Sequence, residues 1–88
     1  MFLNMMSGAS AVSGKSSPAR RAIDIHVGER LSKRRLELGL CHKLLGQRVD
    51  LDETTIRLFE SGHSTVGPHN LFRISQALNT TMSFFYSG

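Results

Sequence analysis

The sequence predicts an all-α domain of five short helices behind a flexible N-terminal arm. Three observations carry that prediction. From Ile23 onward, apolar residues recur at helical spacings of three, four and seven. Nowhere does the chain show the period-two alternation of a half-buried strand. Candidate breakers, Gly39, Asp50, Gly62 and Asn79, fall between the periodic stretches and divide them.

The arm comes first. Residues 7 to 22, SGASAVSGKSSPARRA, are rich in Ser, Gly and Ala and end in a basic pair, a composition that buries too little surface to order itself. A boundary is therefore expected at 22, with a disordered basic arm over 1–22 and a folded domain over 23–88. The stretch GASAVSGKS is not a phosphate-binding loop: five residues separate Gly8 from Gly14 where that motif has four, and no apolar strand precedes it.

The first helix, about 24 to 38, places Val27, Leu31 and Leu38 on one face and stops at Gly39. The second runs 42 to 49 through Leu44, Leu45 and Val49, with Cys41 or Leu40 before its start. Asp50 and Leu51 break the chain, and Asp52 stands where an N-cap should, able to accept from the backbone N–H of Thr54 or Thr55. The third helix, 53 to 60, is stopped by Gly62. Pro68 suits the first turn of a fourth, which carries Leu71, Ile74, Ala77 and Leu78. Thr80 or Thr81 caps a last turn in MSFFY, where Phe84 and Phe85 close the core or, with Tyr86, form a dimer surface.

At 88 residues the chain suits one small domain, too small for a multi-step enzyme. Its 11 basic and 7 acidic side chains give a net charge of +4 and favour an anionic partner. Lys15, Arg20 and Arg21 supply most of that excess, leaving the folded part nearly neutral. The single Cys41 excludes an internal disulfide and fits a reducing cytosol. The opening MFLNMM lacks a basic n-region and is too short for a signal core, and no apolar run reaches the roughly 20 residues that span a bilayer. A soluble, cytoplasmic protein is expected, with no membrane partner and no evident small-molecule substrate. His26, His42, His63, His69 and Cys41 lack zinc-type spacing, and nothing marks one Ser among eleven as a nucleophile. No metal, no cofactor and no enzymatic activity are expected.

Residues 42 to 61 meet the requirements of a two-helix corner. Leu45, Val49, Leu51, Ile56 and Phe59 provide apolar residues for the junction, Gly46 a small residue where the backbones approach, and Asp50 a turn residue that tolerates the left-handed region. Here the chain resembles the Cro and phage-repressor type of helix-turn-helix protein, the XRE family. The likeness runs from residue 26 to 86 through VGERLSKRRLELGL, TTIRLFESG and LFRISQALNTTMSFFY. It implies a five-helix lambda-repressor-like fold and a transcriptional regulator, in particular a repressor, that binds double-stranded DNA as a homodimer in the nucleoid. Three departures stand out: Cys41-His42 replaces the usual Ser-Gln at the start of the second helix, Asp50 replaces the usual turn Gly, and the reading positions hold Glu53, Thr54, Arg57, Leu58 and Ser61 where Gln, Ser and Lys types are common.

With Ile56 and Phe59 facing inward, Glu53, Thr54, Arg57, Leu58 and Ser61 fall on the opposite side of the third helix. Glu53, Thr54, Arg57 and Leu58 are the expected base readers: a carboxylate accepts from cytosine, Arg donates to guanine, and Leu meets a thymine methyl. His42, Lys43, Thr55, Ser61, His63, Arg20 and Arg21 are expected at phosphates. Ser64, Thr65, His69 and Asn70 are further candidates. The resemblance also implies a structural ion pair between Arg35 and Glu60 and leaves Arg34, at a usually apolar position, without a role. An alternative reading keeps the fold but turns Glu53 and Leu58 to a protein, making the chain an antitoxin-like or adaptor module.

Overall fold

The computed structural model describes residues 18–87, which form four α-helices and one 3₁₀ turn in the order α1 (Pro18–Glu37), α2 (His42–Val49), α3 (Glu53–Ser61), α4 (Pro68–Ala77) and the turn Met82–Phe85. The expected five helical segments are therefore present, the last as a 3₁₀ turn. The boundaries at the corner agree closely with the sequence, because each is set by a local cap. Cys41 Sγ accepts from Leu44 N at 3.4 Å, and Asp52 Oδ1 accepts from Thr55 N at 2.8 Å. Asp50 closes α2 in the left-handed region (φ 61°), donating its N–H to the Gly46 carbonyl.

Two expectations need correction. The first helix begins at Pro18, so Arg20 and Arg21 lie on its exposed opening turn and not in an unstructured arm. Proline suits the first helical position, and Ala19, Arg20, Arg21 and Ala22 are strong helix formers, so these five residues extend a helix that packing has already nucleated. The rest of the proposed arm, with Lys15, lies outside the described residues. At the other end the helix stops at Glu37, which leaves Leu38 40% exposed while Leu40 takes the buried place.

The core gathers Val27, Leu31, Leu40, Leu45, Val49, Ile56, Phe59, Val66, Leu71, Ile74, Leu78 and Phe85 into one cluster. Helix α1 is the spine, packing chiefly on α3 and also on the C-terminal turn, while α2 joins α3 to α4. Two glycines set how closely the elements approach. A Cβ on Gly28 would stand 2.4 Å from the Phe59 carbonyl oxygen and 2.6 Å from that of Glu60, so α1 and the end of α3 meet backbone to backbone. A Cβ on Gly46 would stand 2.4 Å from the Leu51 carbonyl oxygen, which holds α2 against the chain entering α3.

The polar side of α1 holds the C-terminal part of the chain. Arg34 Nε donates to the Leu78 carbonyl at 2.9 Å and Nη2 reaches that of Asn79 at 3.4 Å, so this cation satisfies carbonyls at the end of α4. That is the role the sequence left unassigned. Arg30 lies 4.1 Å over the Phe84 ring and donates from Nε to the Phe84 carbonyl at 3.0 Å.

Gly28→Ala should lower the free energy of unfolding by about 2–3 kcal/mol through overpacking against rigid backbone. Gly67 precedes α4 without a side-chain cap and with open space around it. Gly67→Ser should therefore be neutral or stabilising by up to about 0.5 kcal/mol. Urea unfolding followed by circular dichroism measures both; a Gly28→Ala variant as stable as the parent would contradict the close approach.

Candidate nucleic-acid interface

Helix α3 is amphipathic in the sense the sequence predicts. Ile56 and Phe59 are buried, while Thr54, Arg57, Leu58 and Ser61 are exposed and Glu53 is partly so. Three polar side chains fix the end of this helix. Glu60 receives Arg35 Nε on Oε2 at 2.6 Å and Arg35 Nη2 on Oε1 at 3.0 Å, a two-pronged pair with both side chains buried. Arg35 spends its remaining terminal nitrogen, Nη1, on the Leu40 carbonyl at 2.8 Å. His42 Nε2 lies 3.0 Å from Glu60 Oε1.

His42, expected at a phosphate, is engaged within the chain. Its ring, mostly buried, is held on Glu60. A histidine at the first position of α2 lies beside the last turn of α3, and the Glu60 carboxylate is the nearest strong acceptor. The residue thereby braces α3 from the α2 side as Arg35 does from the α1 side.

The remaining acids near α3 are also engaged within the chain. Asp52 caps the helix through Thr55, and those side-chain and backbone hydrogen bonds hold its carboxyl below the ordinary value. Glu53 Oε2 accepts from Arg57 Nη2 at 2.6 Å, one turn along the exposed face. That bond is the main cause of the lowering of the Glu53 carboxyl, against a smaller opposing effect of desolvation. The acid expected to read cytosine thus already holds the neighbouring arginine.

The other expected phosphate contacts lie at three places. Lys43 is exposed at the start of α2 and Thr55 is half-buried in α3. At the other end of α3, Ser61 Oγ donates to the Leu58 carbonyl at 3.0 Å and lies 2.7 Å from His63 Nδ1. Arg20 and Arg21 stand on the first turn of α1. That helix reaches the α3–α4 connection through buried Asp24, whose Oδ2 accepts from Thr65 Oγ1 at 2.8 Å, and through Ile25, whose Cγ1 lies 2.7 Å from where a Cβ on Gly62 would be. Sequence reasoning missed this tie, as it missed Gly28. A buried Asp nearly two turns into a helix has no local pattern that distinguishes it from a solvated one.

A helix-turn-helix family model matches residues 31–85. An HTH-type transcriptional regulator of Sinorhizobium medicae (strain WSM419) is 42% identical over 64 residues, 73% of this chain, which spans 46% of that curated relative's length. Among solved structures, the restriction-modification controller protein C.AhdI from Aeromonas hydrophila superposes with a TM-score of 0.70 at 25% identity, over 73% of this chain and 97% of that one. The P22 c2 repressor protein, solved in complex with synthetic operator 9T, superposes with a TM-score of 0.65 at 27% identity, over 67% of this chain and 89% of that one.

Breaking the buried pair has a predictable cost. Glu60→Gln leaves Arg35 buried without its counter-charge and should destabilise the domain by about 3 kcal/mol, read from urea unfolding near neutral pH. Burial by itself would raise the Glu60 carboxyl, but the hydrogen bonds from Arg35 and His42 outweigh it and leave it below the ordinary 4.5. A lowered folded value contributes stability above the ordinary value, lost as pH falls through the lowered one. The parent should therefore lose more stability than Glu60→Gln between about pH 5 and about pH 3, and parallel pH–stability curves would contradict the assignment.

Proposed function

The chain belongs to the XRE-type helix-turn-helix family, and from that premise we propose that it is a sequence-specific DNA-binding transcriptional regulator, a repressor that inserts α3 into the major groove. The observation that carries this reading is the division of α3. Ile56 and Phe59 anchor one face, Glu60 is pinned by Arg35 and His42, and Thr54, Arg57 and Leu58 project from the other face with Glu53 beside them. A helix held this firmly can present side chains to base edges without losing its own order, as discrimination requires.

Affinity comes from elsewhere. Lys43 and the α2 start, Thr55, Ser61 and His63 around α3, and Arg20 and Arg21 at the head of α1 contact phosphates in this reading. One such module covers too few base pairs to select a site, so the chain acts as a homodimer on two half-sites. Tyr86, 55% exposed at the end of the C-terminal aromatic trio, is available to that interface, whereas Phe85 is committed to the core. The protein is a binding module and not an enzyme, and it works in the cytoplasm on the nucleoid. Among the described residues no helix is long and apolar enough to cross a membrane.

A gel-shift selection on genomic fragments, titrated with salt, tests the proposal. A regulator retains a selected site whose affinity falls steeply with salt; weak, sequence-blind retention would indicate the adaptor module instead. Arg57→Ala should cost about 1–3 kcal/mol on the selected site and relax preference at one base pair. Lys43→Ala should weaken all sequences alike and reduce the salt slope by about 1.

A further inference from the structure

Resting on the reading of α3 as the helix that meets base edges, we infer that Glu53 is a specificity-determining positioning residue that acts through Arg57. Its carboxylate and the Arg57 guanidinium are joined at 2.6 Å on the open face of α3, with 42% and 59% of the two side chains exposed. Both are within reach of an incoming ligand, and Glu53 sits in the first turn, the end of a reading helix that enters the groove.

A free arginine on this face has many rotamers and, beside DNA, a strong alternative partner in the nearest phosphate. The bridge restricts both. Because Glu53 is one turn N-terminal to Arg57, it draws the guanidinium toward the leading end of the helix. It occupies an N–H of Nη2. The guanidinium has five N–H donors in a planar fork, so donors remain on another edge for the O6 and N7 acceptors of a guanine. The negative charge also opposes migration of Glu53, and of the arginine it holds, toward the phosphate backbone. An acid in this position costs affinity for DNA at large and gains selectivity for the base pair that Arg57 meets.

The test is a double-mutant cycle on the full chain with Glu53→Gln, Arg57→Ala and the combination, measuring affinity for the selected site and for every single-base variant of it. Both side chains are exposed, and unchanged circular dichroism and melting temperature confirm folding; Glu53→Ala serves as a second variant. Glu53→Gln should relax preference at the same base pair as Arg57→Ala, by roughly three- to tenfold. The double variant should be no less selective there than Arg57→Ala alone. Relaxation at a different base pair, additive with Arg57→Ala, would make Glu53 a base reader in its own right and overturn the inference. Tighter binding to every sequence with preference unchanged would make it a solvated charge, with the same result. If the unaltered chain selects no sequence at all, the DNA-reading proposal fails and this inference falls with it.

Discussion

The buried pair between Arg35 and Glu60 joins more of the structure than any other polar contact described above. Arg35 comes from the spine helix α1, Glu60 from the last turn of α3, and the same two side chains also engage the Leu40 carbonyl before α2 and the His42 ring at its start. Four segments therefore meet at one carboxylate and one guanidinium. A buried ion pair is a weak source of net stability, because desolvation offsets most of the attraction. Its effect is directional. Apolar contacts such as Ile56 and Phe59 would tolerate a small rotation of α3, whereas a two-pronged pair with each prong near 3 Å would not.

Internal pairing of this kind explains how a domain carrying acids at its exposed helix can still suit a polyanion. Asp52, Glu53 and Glu60 each spend their carboxylates within the chain: on the N–H of Thr55, on Arg57, and on Arg35 with His42. Each acid does separate work. Asp52 starts the helix, Glu60 fixes its orientation, and Glu53 restrains the arginine beside it. What α3 presents outward is then a short row of hydroxyl, guanidinium and aliphatic groups, with the Glu53 carboxylate beside them already paired.

The other faces of α1 complete the scaffold. Its close approach to α3 at Gly28 leaves no room for a side chain, and Asp24 reaches the connection that follows α3. On the opposite side Arg30 and Arg34 hold the C-terminal turn and the end of α4 through carbonyl oxygens, and His26 Nε2 lies 2.6 Å from the Ser87 carbonyl oxygen. One helix thus sets both the pose of α3 and the position of the chain's last described residues.

Most of the fold was legible from the chain alone, because its signals are local. Caps at Asp52 and Thr81, the left-handed residue at Asp50, Pro68 at a helix start and the apolar spacing of α2 to α4 all act within a few residues of where they stand. The start of α1 was misread because SSPARRA has the composition of a linker, and only packing further along the helix makes its extension back to Pro18 favourable. The exposed face of α3 was legible from helical spacing, but the commitments on it were not. That His42 turns to Glu60 and that Arg34 caps α4 depends on which acceptor lies nearest in space, whereas Glu53 holds Arg57 through the i,i+4 spacing of a single helix. By itself the sequence determined the helices of the corner, the Asp52 cap and the side of α3 that faces out, and its resemblance pointed to the Arg35–Glu60 pair; tertiary structure alone decided the partners of His42 and Arg34, since hydrogen bonding is settled over about 3 Å between groups that lie 18 or 44 residues apart in the chain.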